Sequence, residues 1–127
     1  MSLRSVIVDD SPAVLRAASE LLEGQGIVVV GVAAAGAEAE RLIEELKPDV
    51  ILVDIDLGAE SGFDLARRLM DTPDRAGTRI ILISTHDGPD FANLIAACPA
   101  IGFLPKSDLS ATAIHRLLAG AQGERRG

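Results

Sequence analysis

An α/β fold, with a doubly wound five-stranded parallel sheet and five helices, is what this sequence predicts on three observations. Val50-Ile51-Leu52-Val53 is a run of four β-favouring apolar residues, the pattern of a strand buried on both faces in the middle of a parallel sheet. Five such strand-like runs alternate with segments of helical periodicity, and parallel neighbours need right-handed helical crossovers that cover both faces. Finally, 127 residues, 48% of them hydrophobic, are enough for one ordinary domain with a real core. The domain is read as residues 1–122 and the remainder, 123–127, as a polar tail that ends the chain or begins a linker.

Leu3 to Val8 carries the first strand, and Val6-Ile7-Val8 stops at Asp9-Asp10. Ser11-Pro12 then supplies an N-cap and a proline at the first helical position. Val14, Leu15, Ala18, Leu21 and Leu22 recur at helical spacing, and Gly24 and Gly26 close that helix. Ile27 to Val32 is the second strand; Ala39, Leu42, Ile43 and Leu46 mark the inner face of the next helix, which Pro48 stops. The central strand ends at Asp54, and a glycine-punctuated loop, Gly58 to Gly62, leads into a third helix with Phe63, Ala66, Leu69 and Met70 inward. A polar connection from Asp71 to Thr78 precedes the fourth strand, Ile80 to Ile83, which ends at Ser84-Thr85-His86. Pro89 to Ala97 reads as a short fourth helix with Phe91, Leu94 and Ile95 apolar. Ile101 to Leu104 is a fifth strand broken by Pro105, which suits a sheet edge. Ser110 caps the last helix, Leu109 and Ile114 form a hydrophobic staple, and Ile114, Leu117, Leu118 and Ala121 make the inner stripe.

No apolar run approaches the roughly 18 residues of a membrane span, and the N-terminus lacks a signal-peptide pattern, so a cytoplasmic protein with no membrane partner is expected. Cys98 has no second cysteine to pair with and no Cys/His cluster beside it, and reads as a small buried apolar residue. A net charge of −7 and 2% aromatic residues argue against direct nucleic-acid binding by this domain, which needs clustered cations or stacking rings. The only lysines are Lys47 and Lys106. In a chain that otherwise uses arginine, Lys106 is therefore a chosen point charge.

Taken alone, Asp54 reads equally as a strand cap and as a functional carboxylate. The sheet shifts that balance. In an open parallel sheet all strand C-termini lie on one edge, where ligands bind, so Asp9, Asp10, Asp54, Ser84 and Lys106 converge there. Three close carboxylates repel unless something positive sits among them, and an all-oxygen set with room for water suits Mg²⁺ better than zinc. Acidic pair, nucleophilic carboxylate, hydroxyl and lysine are the requirements of phosphoryl transfer, with an aspartyl phosphate as product.

On these residues the chain resembles the receiver domains of two-component response regulators. The resemblance runs from Val6-Ile7-Val8-Asp9-Asp10 through Val53-Asp54 and Gly62 to Ser84-Thr85 and Phe103-Leu104-Pro105-Lys106. It implies a flavodoxin-like sheet with strand order 2-1-3-4-5. It also implies that Asp54 accepts a phosphoryl group from the phosphohistidine of a sensor histidine kinase. Asp10, Asp54 and the backbone carbonyl of Asp56 would ligate Mg²⁺, with Asp9 acting through water. Ser84 and Lys106 would hold phosphoryl oxygens, Phe103 would be the aromatic switch, and Thr85 would stand at the phosphate entrance. Such a domain catalyses only its own phosphotransfer and dephosphorylation. It switches a surface read by an effector protein, by a fused output domain, or by a second copy through the last helix. The chain departs from the family pattern at Gly58, where proline is frequent, at Thr85, where a smaller residue is usual, and at Ser107, where proline commonly follows the lysine.

Two other functions fit parts of the pattern. Asp54-Ile55-Asp56 after an apolar strand is also how haloacid-dehalogenase-type phosphatases place a nucleophile and an acid/base. That motif does not require Asp9-Asp10. The other is an interaction module that works without phosphorylation, which the five-residue set disfavours. His86 reads as a solvated loop histidine with the rim of the site as the alternative, and His115 as a surface residue. Glu38, Glu40, Glu44 and Glu45 read as a solvated helix face, and Arg67 and Arg68 need no special role.

Overall fold

The three central apolar runs, Val6 to Val8, Val50 to Val53 and Ile80 to Ile83, become strands because each places mostly β-branched side chains alternately on two faces, both of which are covered. The computed structural model describes residues 3–58, 60–71, 77–85, 93 and 97–126, with side chains up to residue 120. In chain order the elements are β1 (Arg4–Val8), α1 (Pro12–Gly24), β2 (Val28–Ala33), α2 (Gly36–Leu46), β3 (Val50–Asp54), α3 (Gly62–Asp71), β4 (Arg79–Ser84), β5 (Gly102–Pro105), a 3-10 turn (Lys106–Asp108) and α4 (Ala111–Arg126). The five strands form one sheet in the order β2-β1-β3-β4-β5, and every pairing is parallel.

Alternation within the central strands divides the core in two. Val6 and Val8 of β1, Ile51 and Val53 of β3, and Ile80 and Leu82 of β4 face the side closed by α2 and α3. Ile7, Val50, Leu52, Ile81 and Ile83 face the side closed by α1 and α4. All four residues Val50 to Val53 are fully buried, and each such side chain contributes roughly 2 kcal/mol of burial free energy. The central strand is thus firmly held, and Asp54 is its last residue.

The helix ends follow their local chemistry. The Ser11 hydroxyl accepts the Val14 N–H at 3.3 Å at the start of α1, with Pro12 following. Lys47 closes α2 in the left-handed region at φ 46°, because the following Pro48 disfavours a further right-handed helical residue. Ser110 accepts the Ala113 N–H at 3.1 Å, and Leu109 and Ile114 share one buried cluster, as a staple requires.

Several expectations are corrected. Among the described residues there are four α-helices rather than five; the helix expected over Pro89–Ala97 falls mostly outside them, although Asn93 and Ala97 are helical. Leu21 is 40% exposed, because Ala18 and Leu22 already fill the inner face of α1. The pairing of β1 with β2 shifts register between Ser5 and Val6, skipping Val30, and on this edge strand Val28 and Val32 are exposed. Pro105 belongs to β5 and pairs with Ser84 rather than breaking the strand; at a sheet edge its missing N–H need cost no ladder bond. The backbone of α4 is helical to Arg126, so it continues into residues 123–127, the segment read as a polar tail. Cys98 is buried in the cluster beneath α2 and α3, as expected, and no helix among the described residues is long and apolar enough to cross a membrane.

Candidate functional site

The ends of β1, β3 and β5 carry four of the expected residues to one place. Asp9 follows β1 and is fully buried; its Oδ1 accepts the Ser11 N–H at 2.9 Å, which fixes the carboxylate at the turn into α1. Asp54 is 5% exposed, and its Oδ1 accepts the Asp56 N–H at 3.3 Å. Lys106 enters from the 3-10 turn after β5. Its Nζ lies 2.6 Å from Asp9 Oδ2 and 3.3 Å from Asp54 Oδ2. Asp10 is exposed, on the open side of the group.

Burial dominates the Asp54 carboxyl and pushes its pKa above the ordinary value. The Asp56 N–H opposes that rise, the Asp9 charge adds to it, and Lys106 draws it down. Burial alone would lower the Lys106 pKa, but the short contact with Asp9 and the charges of Asp54 and Asp9 outweigh it, so the ammonium is held above its usual value. Lys106 is therefore a fixed cation between two buried carboxylates.

Asp9, Asp10 and Asp54 each offer an oxygen, and the three oxygens lie within 4.8 Å of one another. The donor set is hard and entirely oxygen. Asp9 Oδ2 is buried and, although close to Lys106, accepts no hydrogen bond of good geometry, so it retains lone-pair capacity aimed into the group. These residues fit a hard divalent cation of the Mg²⁺ type.

The other expected residues are placed as follows. Ser84 ends β4 and is buried, one residue beyond the Ile83 that pairs with Asp54. Thr85 is exposed just past it. Phe103 pairs with Leu82 and packs, partly buried, against the cluster beneath α2 and α3. Asp56 is exposed in the loop, with its Oδ1 accepting the Gly58 N–H at 3.1 Å. That contact helps to set the geometry of the loop. His115 is exposed as expected, and His86 lies outside the described residues.

Glycine shapes the loop after Asp54. Gly58 has φ 75°, and a Cβ there would stand 3.2 Å from Asp10 Oδ2. Gly62 begins α3 so close to β3 that a Cβ would strike the Asp54 carbonyl and lie 2.7 Å from Ile55 Cα. Reading the sequence alone missed Arg68, which pairs with Glu60 in this loop and with Glu40 on α2. Its only prior signal was a basic residue near the end of an amphipathic helix.

The model of the response regulator receiver domain family matches residues 6–118. The chain belongs to that family. This receiver domain is 29% identical over 123 residues to the uncharacterised transcriptional regulatory protein YxjL of Bacillus subtilis, covering 96% of this chain and 56% of that protein. It is 34% identical over 109 residues to a protein-glutamate methylesterase/protein-glutamine glutaminase of Vibrio vulnificus, covering 84% of this chain and 28% of the enzyme. Among solved structures, a LuxR-family two-component response regulator from an Aurantimonas species superposes with a TM-score of 0.83 at 30% identity, covering 94% of this chain and 87% of that one. The receiver domain thus spans about half of the first relative and about a quarter of the second.

Proposed function

We propose that this receiver domain accepts a phosphoryl group on Asp54 in a Mg²⁺-dependent reaction and thereby switches a protein-binding surface. The observation that carries the reading is Asp54 itself: a buried carboxylate at the end of the central strand, 3.3 Å from Lys106 and within one cation's reach of Asp9 and Asp10. Its oxygen would form a bond to phosphorus as the phosphorus–nitrogen bond of a donor phosphohistidine breaks. Asp10, Asp54 and the Asp56 carbonyl would hold the metal, with Asp9 acting through water. When bound, Mg²⁺ would neutralise charge on the phosphoryl oxygens.

Lys106 would exchange carboxylate contacts for a phosphoryl oxygen, and the Ser84 hydroxyl would hydrogen-bond another. Thr85, exposed beside them, would limit access to the phosphate. These contacts exist in one state only, so they bias a two-state equilibrium by their differential energy, with Phe103 on β5 as the moving ring. The partners would be a sensor histidine kinase in the cytoplasm and an effector protein or fused output domain, with a second copy meeting the last-helix region as a further mode.

Incubation with acetyl phosphate and Mg²⁺, followed by intact mass measurement, tests this. A single phosphate adduct is expected on the unaltered protein and none on Asp54→Asn. Equal labelling of both would remove Asp54 from this role.

A further inference from the structure

Outside the carboxylate group, one guanidinium joins three parts of the molecule. Arg68, on α3, donates from Nη1 to Glu60 Oε2 at 2.8 Å and from Nε and Nη2 to the two oxygens of Glu40 at 3.4 Å each. Glu40 lies on α2 and Glu60 in the loop between β3 and α3. The first residue of α2, Gly36, leaves the room this requires: a Cβ there would strike Glu60 Oε1 and stand 2.6 Å from Arg68 Nη2.

Glu60 is not a loose end of that loop. Its carbonyl accepts the Leu57 N–H at 3.1 Å, Asp56 and Ser61 form an antiparallel bridge, and the Gly62 N–H donates to the Ile55 carbonyl at 2.8 Å. The loop is closed on itself through its backbone, so a displacement of Glu60 carries Asp56 with it. The same loop brings Gly58 against Asp10. We infer that Arg68 is a positioning residue for divalent-cation binding: by gripping Glu60 it sets where the β3–α3 loop, and with it the Asp56 backbone carbonyl, stands relative to Asp10 and Asp54. This rests on the metal-site reading above.

Field and clamp make opposite predictions for Arg68. Removing a nearby positive charge tightens cation binding if Arg68 acts only through its field; it weakens binding if Arg68 acts by holding the loop. Isothermal titration of the full chain with Mg²⁺ at low ionic strength separates them. Arg68→Met and Glu60→Gln are each expected to weaken Mg²⁺ binding about fivefold, the scale of a well-formed exposed ion pair. Glu40→Gln, which breaks only the contact to α2, should stay within about twofold on the same scale. The ratio of affinities between the unaltered protein and Arg68→Met should also shrink as NaCl screens the clamp, and calorimetric unfolding confirms that each variant is folded. Unchanged or tighter Mg²⁺ binding by folded Arg68→Met would overturn the inference, as would equal losses in Glu40→Gln and Glu60→Gln. Failure of the unaltered protein to bind Mg²⁺ would instead overturn the metal-site reading, and this inference with it.

Discussion

Asp54 is a carboxylate whose burial works against its own charge. Its pKa is raised in the fold, chiefly by desolvation, so the folded state holds its proton more tightly than the unfolded state does. Such a group favours folding at pH values below its unfolded pKa, and that contribution is lost as pH rises through the folded value. Asp54→Asn removes the charge and keeps the shape. In metal-free buffer the variant is expected to unfold a few degrees higher than the unaltered protein at neutral pH, with the difference closing below about pH 4, where aspartate is protonated in both states. Thermal unfolding followed by circular dichroism across that range checks it, and an Asp54→Asn protein less stable at pH 7 would contradict it. Lys106 moderates the penalty without abolishing it, since its ammonium is shared with Asp9 at the shorter distance.

At the scale of elements, what positions Asp54 is the close approach of α3 to the end of β3. Gly62 permits it, because a methyl group there would overlap the Asp54 carbonyl and crowd Ile55 Cα at 2.7 Å. Both neighbours are backbone atoms and cannot rotate away. Gly62→Ala is expected to cost about 3 kcal/mol, at the upper end for overpacking, and to reduce acetyl phosphate labelling as well, as Asp54 shifts with its carbonyl. A chemical denaturation series, with intact mass on the folded fraction, reads both effects. In the sequence this glycine stood as loop punctuation and as one residue of the family resemblance, and neither shows the clash, which depends on how close a helix start comes to a strand 8 residues back. Elements with a strong period were legible: β1, β3 and β4, and the convergence of Asp9, Asp10, Asp54 and Lys106 that follows from putting parallel strand ends on one edge. The register shift at Val30 was not, because a valine run has the same pattern in either register. Nor was the Arg68 clamp, whose partners lie 8 and 28 residues away on other elements.

At the scale of the whole molecule, the carboxylate group exists only because the sheet exists. Asp10 and Asp54 are 44 residues apart in the chain, and the oxygens of the group come within 4.8 Å only when β1 and β3 pair in register. A cation bound there therefore binds the folded state and not the unfolded one, and folding is linked to its concentration. At a hundred times the dissociation constant that linkage contributes about 2.7 kcal/mol, or a rise of about 10 °C in Tm for a domain of this size. Mg²⁺ is expected to raise Tm continuously with the logarithm of its concentration, against a NaCl control of equal ionic strength. Asp10→Asn separates this from general screening, because Asp10 is exposed and its amide relieves repulsion from Asp9 and Asp54. Without Mg²⁺ the variant should therefore be as stable as the unaltered protein or slightly more so, yet it should lose most of the Mg²⁺-dependent rise. A full rise in Asp10→Asn would mean that the stabilising cation binds somewhere other than the edge where the strands end.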